Sequence, residues 1–237
     1  MGPESEGTQG KGEADLETSM KKRITLIHAV AAAIPPILHA FKEGWPEAET
    51  CNLLDDDLMP AYRREGGLTP AITRRICELA LYAARAGADG ILFTCSVFTP
   101  AEELAKQLVS IPLLKPDEAM IAVALKSGKR IGVLATNPPA APAAETQIRA
   151  AAAPEAEIEV VQAVAEGAFA AGNAGDAATH DRLVADTAER LSLAVDVICM
   201  AQVSMGLARA AAQARSRVPI LSSPATAVAR LKALLNG

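Results

Sequence analysis

The sequence predicts an α/β protein of two pseudo-symmetric halves, each a mainly parallel sheet flanked by helices, with the active site in the cleft between them. Three observations carry this. Apolar strand-like runs alternate with amphipathic helical stretches from Lys22 onward, the pattern of parallel sheets covered by helices. One run, Gly90-Ile-Leu-Phe-Thr-Cys95-Ser-Val-Phe-Thr-Pro100, breaks off at a cysteine followed by small polar residues and a proline. Landmarks of the first half return 107 residues later, which marks an internal duplication.

The 237 residues are 50% hydrophobic and 22% charged, sufficient for one large α/β domain or two halves of roughly 100 residues. A net charge of -5, a pI near 5.3 and 3% aromatic residues argue against nucleic acid as a partner, because phosphates call for a basic surface and bases for stacking platforms. The four cysteines, Cys51, Cys77, Cys95 and Cys199, are far apart and lack CxxC spacing. That spacing indicates neither a zinc site nor a disulfide framework, and a reducing cytoplasm is expected. No apolar run approaches the roughly 18 to 20 residues of a membrane span, and the N-terminus lacks the charged-then-apolar order of a secretory signal. Residues 1–19, rich in Gly, Glu and Ser without apolar periodicity, read as a disordered leader or cloning remnant.

The first half, 20–128, opens with an apolar strand ending at His28, followed by a Pro35-Pro36 break and an amphipathic piece through Phe41. Thr50 to Asp55 reads as a second strand. From Thr69 to Gly87 the helix signals agree: Thr69 can cap, Pro70 suits the first turn and Gly87 the stop. Ile72, Ile76, Leu79 and Ala83 form its core-facing stripe. Next come the strand ending at Cys95, a helix opening at Pro100, a short strand Ile111 to Leu114, and a helix from Pro116 to Ser127 stopped by Gly128. The second half, 129–237, repeats this order, and its Ala-rich run from Ala140 to Ala153 reads as a plain surface helix. Asp55-Asp56-Asp57 reads as a solvated loop, and no strand-GxGxxG-helix or Walker lysine motif supports a nucleotide cofactor.

The repeat can be followed residue by residue. Lys22-Arg23-Ile24 returns as Lys129-Arg130-Ile131, Asp89 as Asp196 and Pro112 as Pro219, while Pro116 returns near Pro224 with a slip of one. Two such halves about a pseudo-two-fold axis would face their strand ends across one cleft. Ligands bind beyond the carboxyl ends of strands in open α/β sheets, so Cys95 is the first candidate for chemistry. Its counterpart is Gln202 in Ile198-Cys-Met-Ala-Gln202-Val-Ser-Met-Gly206. Cys199 instead matches Leu92, three residues earlier. An odd displacement turns a strand side chain to the other face, so Cys199 is expected in the core.

The two-half layout and the segment Ala88-Asp-Gly-Ile-Leu-Phe-Thr-Cys95-Ser resemble the aspartate/glutamate/hydantoin racemase superfamily, which includes maleate isomerase and arylmalonate decarboxylase. The resemblance implies a cofactor-independent enzyme without a metal, acting on a small carboxylate or carboxylate-like substrate, and a homo-oligomer. In the racemases of this group a cysteine from each half flanks the substrate. Here the second is Gln202, which cannot ionise, whereas inversion by proton transfer needs a titratable group on each face. The expected function is therefore carbanion or enolate chemistry, of isomerase or racemase type, with a single catalytic cysteine. The alternatives are a decarboxylase or lyase and a non-catalytic carboxylate-binding paralogue. Another residue could serve as the second base, and His28, at the end of the first strand, is the best placed of the three histidines for it, with a polar wall residue as the plainer reading.

A carbanion beside a carboxylate needs oriented donors. Ser96 and the amides after Cys95 supply them in the first half, and Val203 and Ser204 in the second. The turn Leu134-Ala-Thr136-Asn137-Pro-Pro matches the family's other anion-binding loop, so Thr136 and Asn137 are expected to contact the substrate carboxylate. Such donors are also expected to lower the Cys95 pKa toward thiolate. Specificity is expected from cleft-lining loops carrying Trp45, Met59, Tyr62, Phe98 and Phe169.

Overall fold

Continuous apolar runs become the central strands in the computed structural model, which describes residues 21–236. The expected leader lies outside those residues. The first half runs β1 (Arg23–His28), α1 (Ile34–Gly44), β2 (Glu49–Leu54), α2 (Leu58–Arg64), α3 (Pro70–Arg85), β3 (Gly90–Phe93), α4 (Thr99–Leu108), β4 (Leu113–Leu114) and α5 (Glu118–Ser127). The second runs β5 (Arg130–Ala135), α6 (Ala140–Ala151), β6 (Glu159–Val164), α7 (Ala168–Asn173), α8 (Ala177–Leu191), β7 (Val197–Met200), α9 (Arg209–Arg215), β8 (Ile220–Ser222) and α10 (Ser223–Asn236).

Two four-stranded parallel sheets result, ordered β2-β1-β3-β4 and β6-β5-β7-β8. β3 and β7 are buried throughout, as strands covered on both faces must be. The predicted α3 is capped as expected: Ile72 N–H donates to Thr69 Oγ1 at 3.3 Å, and Gly87 follows the helix with φ 84°. Gly128 ends α5 differently. Its backbone is extended, and a glycine is needed because a Cβ there would lie 2.3 Å from Asp196 Cβ.

The duplication is visible in the packing. On one sheet face Ile27, Ile91, Phe93, Phe98 and Ala101 are buried together, and the residues 107 positions on, Leu134, Ile198, Met200, Met205 and Ala208, form the equivalent cluster. On the other face Ile24, Leu26 and Leu92 match Ile131, Val133 and Cys199. Asp89 and Asp196 recur for a physical reason: each accepts a backbone N–H at the start of its half's first strand, from Arg23 and from Arg130, both at 2.8 Å.

The covering helices are exchanged. Met120, Ile121 and Ala124 of α5 pack on the second sheet with Ile131, Val133 and Val197. Ala227, Val228 and Leu231 of α10 pack on the first sheet with Ile24, Leu26 and Leu92. The repeat boundary at 128/129 is thus not the packing boundary. These buried stripes keep the 107 spacing without the slip expected at Pro116 and Pro224. Pro116 precedes its helix, whereas Pro224 lies within the first turn of α10. Gly90 permits the exchange in the first half, since a Cβ there would meet Leu235 at 3.1 Å and Leu231 at 3.4 Å.

Candidate active site

In both sheets the order of strand addition reverses between the two central strands, β1 with β3 and β5 with β7, and the chain leaves each switch point in the same way. After β3, Thr94 N–H donates to Ile27 O (3.1 Å), Cys95 is extended, and Ser96–Phe98 turns into a 3-10 helix. After β7, Ala201 N–H donates to Leu134 O (2.9 Å), Gln202 is extended, and Val203–Ala208 turns likewise. The two loops meet at a cleft of about 450 Å³ whose wall includes Cys95, Ser96, Asn137, Gln202, Val203 and Ser204. Six of the eight sequence-predicted site residues are therefore brought together.

The other two, His28 and Thr136, are buried and are not part of that wall. His28 lies behind Thr94, its Nδ1 2.9 Å from Thr94 Oγ1 and its Nε2 2.9 Å from Asn52 Oδ1. Burial pushes its pKa down, partly opposed by Asn52, which favours the neutral ring. With Asn52 Oδ1 as acceptor the neutral ring carries its proton on Nε2, and the one Thr94 hydroxyl proton is divided between His28 Nδ1 and Ile27 O, 3.2 Å away; this tautomer is assigned from the network. His28 thus orients Thr94, a wall residue, from outside the cleft.

Thr136 serves Gln202. The Thr136 N–H (2.9 Å), the Thr136 hydroxyl (3.1 Å) and the Asn137 N–H (3.3 Å) all donate to Gln202 Oε1. The loop expected to bind a substrate carboxylate already holds an oxygen, that of the side chain standing opposite the thiol. These donors fix which end of the amide is oxygen. The Gln202 NH₂ is left without a protein acceptor among the described residues, so it can offer hydrogen bonds into the cleft.

Cys95 departs from expectation in its acidity. The Val97 N–H favours the thiolate, but burial outweighs it, and with the charges of Glu102 and Asp117 the thiol is pushed up to about 11. The expected lowering toward thiolate is therefore corrected: Cys95 is a protonated thiol at neutral pH. Cys199, fully buried among Ile131, Val133 and Val197, is pushed up to about 12. It is the core residue its register implies.

The sequence reading misplaced several other groups. Trp45 and Phe98 are core residues, Met59 and Tyr62 pack on the first core, and Phe169 is exposed; none belongs to the cleft wall. The wall is built instead from small residues, including Ala140, Ala143 and Ala144 of α6. The Ala-rich helix read as plain surface therefore makes room for ligand. Asp55 and Asp57 are ion-paired with Arg75. Asp117 and Gln147 escaped notice altogether. They line both this cleft and an adjoining cavity of about 360 Å³ between α5 and α6. The signal for Asp117 was its place after a strand and before a helix, which also describes an ordinary cap.

Chemically, the site offers a thiol, the Ser96 and Ser204 hydroxyls, amide donors from Gln202 and Asn137, and backbone N–H groups at two helical turns. Among the described residues no lysine, arginine or histidine lines it, and no helix is long and apolar enough to cross a membrane.

The family model described as Asp/Glu/Hydantoin racemase matches residues 21–231. A search of curated proteins returns no match. Among solved structures, an allantoin racemase from Klebsiella pneumoniae superposes with a TM-score of 0.70 at 17% identity, over 91% of this chain and 88% of that one. An aspartate racemase homologue from Pyrococcus horikoshii gives 0.67 at 19% identity, over 92% of this chain and 100% of that one. A glutamate racemase from Bacillus anthracis gives 0.62 at 14% identity, over 91% of this chain and 82% of that one. At such identities the likeness is one of fold.

Proposed function

Because the chain belongs to the Asp/Glu/hydantoin racemase family, we propose that it is a cofactor-independent enzyme performing carbanion or enolate chemistry on a small carboxylic acid or carboxylate-like compound, with Cys95 as the thiol of the reaction. The observation that carries this reading is the pairing of Cys95 and Gln202 at twin positions of one cleft. A thiol on one side and an amide on the other can bind and polarise a planar carboxylate or enolate while one proton is exchanged at carbon. Gln202, pinned at its oxygen, contributes N–H donors. Ser96, Ser204 and the turn amides add more where negative charge develops.

A second reading, decarboxylation or lysis with protonation from one face, is favoured by the acidity of the thiol. At neutral pH Cys95 holds its proton, as a group that must quench a carbanion should.

The test is NMR in deuterated water with single enantiomers of small α-substituted carboxylic acids, amino acids and hydantoins, and with substituted malonates. α-Deuterium entry that Cys95→Ala abolishes supports racemase or isomerase chemistry. Loss of CO₂ from a malonate, again dependent on Cys95, supports the second reading. If the intact protein acts on none of these while still binding carboxylates, both readings fail in favour of a binding protein.

A further inference from the structure

The loop that grips the Gln202 oxygen has a twin beside the thiol. Ala29 and Val30 stand 107 residues before Thr136 and Asn137, and the two loops share one backbone arrangement. β1 meets β3 with Ile27 against Phe93, and β5 meets β7 with Leu134 against Met200. Both loops then close the same turn: the Ala33 N–H donates to Val30 O at 3.2 Å, and the Ala140 N–H to Asn137 O at 3.0 Å. Val30 and Ala33 line the cleft from the first half as Asn137 and Ala140 do from the second.

What differs is the side chain each loop meets. Gln202 brings its Oε1 to the Thr136 and Asn137 N–H groups at 2.9 and 3.3 Å. Cys95 has the same extended backbone, but its side chain ends at the γ atom, short of the matching place. Among the described residues no protein acceptor takes the Ala29 or the Val30 N–H. Ala29 is only 3% exposed, and a buried N–H without an acceptor is rare because it gives up its hydration without return. The second half shows what such a pair of amides accepts: the oxygen of a planar carbonyl group at the cleft. A carboxylate has that shape and is the stronger acceptor.

We propose that the Ala29 and Val30 N–H groups are the carboxylate subsite of the cleft, holding an oxygen of a monocarboxylic acid beside Cys95. The assignment rests on the carbanion reading and says which half holds the acid. Gln202 is the internal copy of that contact, its amide standing on the second side where the ligand's carboxylate stands on the first. The ligand presents one carboxylate because Gln202 fills the other loop, and no lysine, arginine or histidine among the described residues lines the wall to hold a second. Amides fixed at a strand end also suit the charge that the carboxylate gains as the α-proton leaves. Ala29 lacks the hydroxyl that Thr136 adds as a third donor, so the first subsite works with backbone donors alone.

The experiment titrates the intact, isotope-labelled chain with butyrate and follows the backbone amide resonances by NMR. The Ala29 and Val30 N–H signals are expected to move downfield and saturate, while those of Thr136 and Asn137 stay. Cys95→Ala should keep this response. In Cys95→Gln the introduced side chain should put its own oxygen on the first loop. The two signals should then stand at their bound positions without butyrate, and binding should weaken by about 10-fold or more as side chain and ligand compete for the same donors. Ala29→Thr, which copies Thr136, should tighten binding roughly 2- to 10-fold, the worth of one added hydrogen bond. Succinate, which replaces the methyl end of butyrate by a second carboxylate, should bind more weakly. The assignment is overturned if butyrate fails to bind, if it binds without moving the Ala29 and Val30 signals, or if succinate binds more tightly and moves Thr136 and Asn137. Should Ala29→Thr fail to fold, the wild-type titration and Cys95→Gln decide. Deuterium exchange with the panel above separates the two claims. Exchange by a protein whose Ala29 and Val30 signals never move leaves the carbanion reading and ends this assignment, whereas moved signals in a protein that exchanges nothing keep the subsite and end the carbanion reading.

Discussion

The loop after β3 and the loop after β7 have the same backbone and opposite equipment. Cys95 and Gln202 share an extended conformation before a 3-10 turn, but the thiol is free toward the cleft while the amide oxygen is tied down by three donors. The supporting residues diverge as well. Glu102 and Asp117 near the thiol have Arg209 and Pro224 as their counterparts 107 residues on. A duplicated scaffold has thus concentrated its titratable groups on one side and its amide side chains on the other. Duplication fixes where side chains meet the ligand; what each can do is set by a handful of later choices.

That division can be broken most directly by copying the second loop into the first. Cys95→Gln should lower the reaction rate by about 10²- to 10⁴-fold, the usual worth of a general acid or base, as measured by α-deuterium exchange. Its thermal midpoint should stay near wild type, because the twin loop accommodates glutamine. Persistence of exchange would show that the thiol is not the reacting group.

Removing the pinned amide tests the other side. Gln202→Ala leaves the Thr136 and Asn137 donors without their acceptor, at a cost of about 1–3 kcal/mol, readable in urea denaturation. Added acetate or another small carboxylate should recover part of that loss by occupying the same donors. If carboxylates fail to stabilise the variant, the loop is not an anion site even when vacated.

Glu102 of α4, fully buried with both oxygens lacking a hydrogen-bond partner among the described residues, sharpens the comparison through pH. Burial first, then the Asp117 charge, raises its pKa well above the ordinary carboxyl value. The folded protein therefore keeps a proton that the unfolded chain releases once the pH passes about 4.5. The stability contributed by this raised group is full below that value and is lost as pH rises through the folded pKa, because the unfolded state binds fewer protons in that window. Glu102→Leu should remove this dependence, so its advantage over wild type widens from pH 4.5 upward. A constant difference across that range would mean that Glu102 finds a partner.

The smallest effect is on labelling rates. Iodoacetamide should modify Cys95 slowly at pH 7 and faster with each unit up to about 11. Asp117→Asn, by removing a negative charge beside the thiol, should speed it modestly at fixed pH. Cys199 should stay unlabelled until the protein unfolds.

Much of this was legible in the chain because packing imposes it. Strand faces need residues of similar size at equal spacing, so Ile24 with Ile131 and Phe98 with Met205 preserve the repeat, and the repeat leads to Gln202. What escaped depends on surroundings rather than pattern. Asp117 has the sequence signature of a helix cap and none of its bonding. Glu102 looks like any charged helix residue until its burial is seen, and with it the acidity of Cys95. The aromatic residues were sought in the cleft because large side chains often make specificity pockets, whereas this chain spends Trp45 and Phe98 on its cores. The destination of Thr136 could not be read, since it depends on which oxygen reaches that loop.

The exchange of α5 and α10 also bears on how such a chain can arise and be taken apart. One repeat alone would leave a sheet face such as Ile24, Leu26 and Leu92 covered by α1 only, without Ala227, Val228 and Leu231, and its own terminal helix reaching for a sheet it does not possess. Two copies, by contrast, would complete each other. Residues 20–128 and 129–237 produced as separate polypeptides should each be insoluble or molten, and should recover the native circular dichroism only on mixing. The duplicated unit would then be an obligate pair before it is a single chain, and the cleft a property of the partnership.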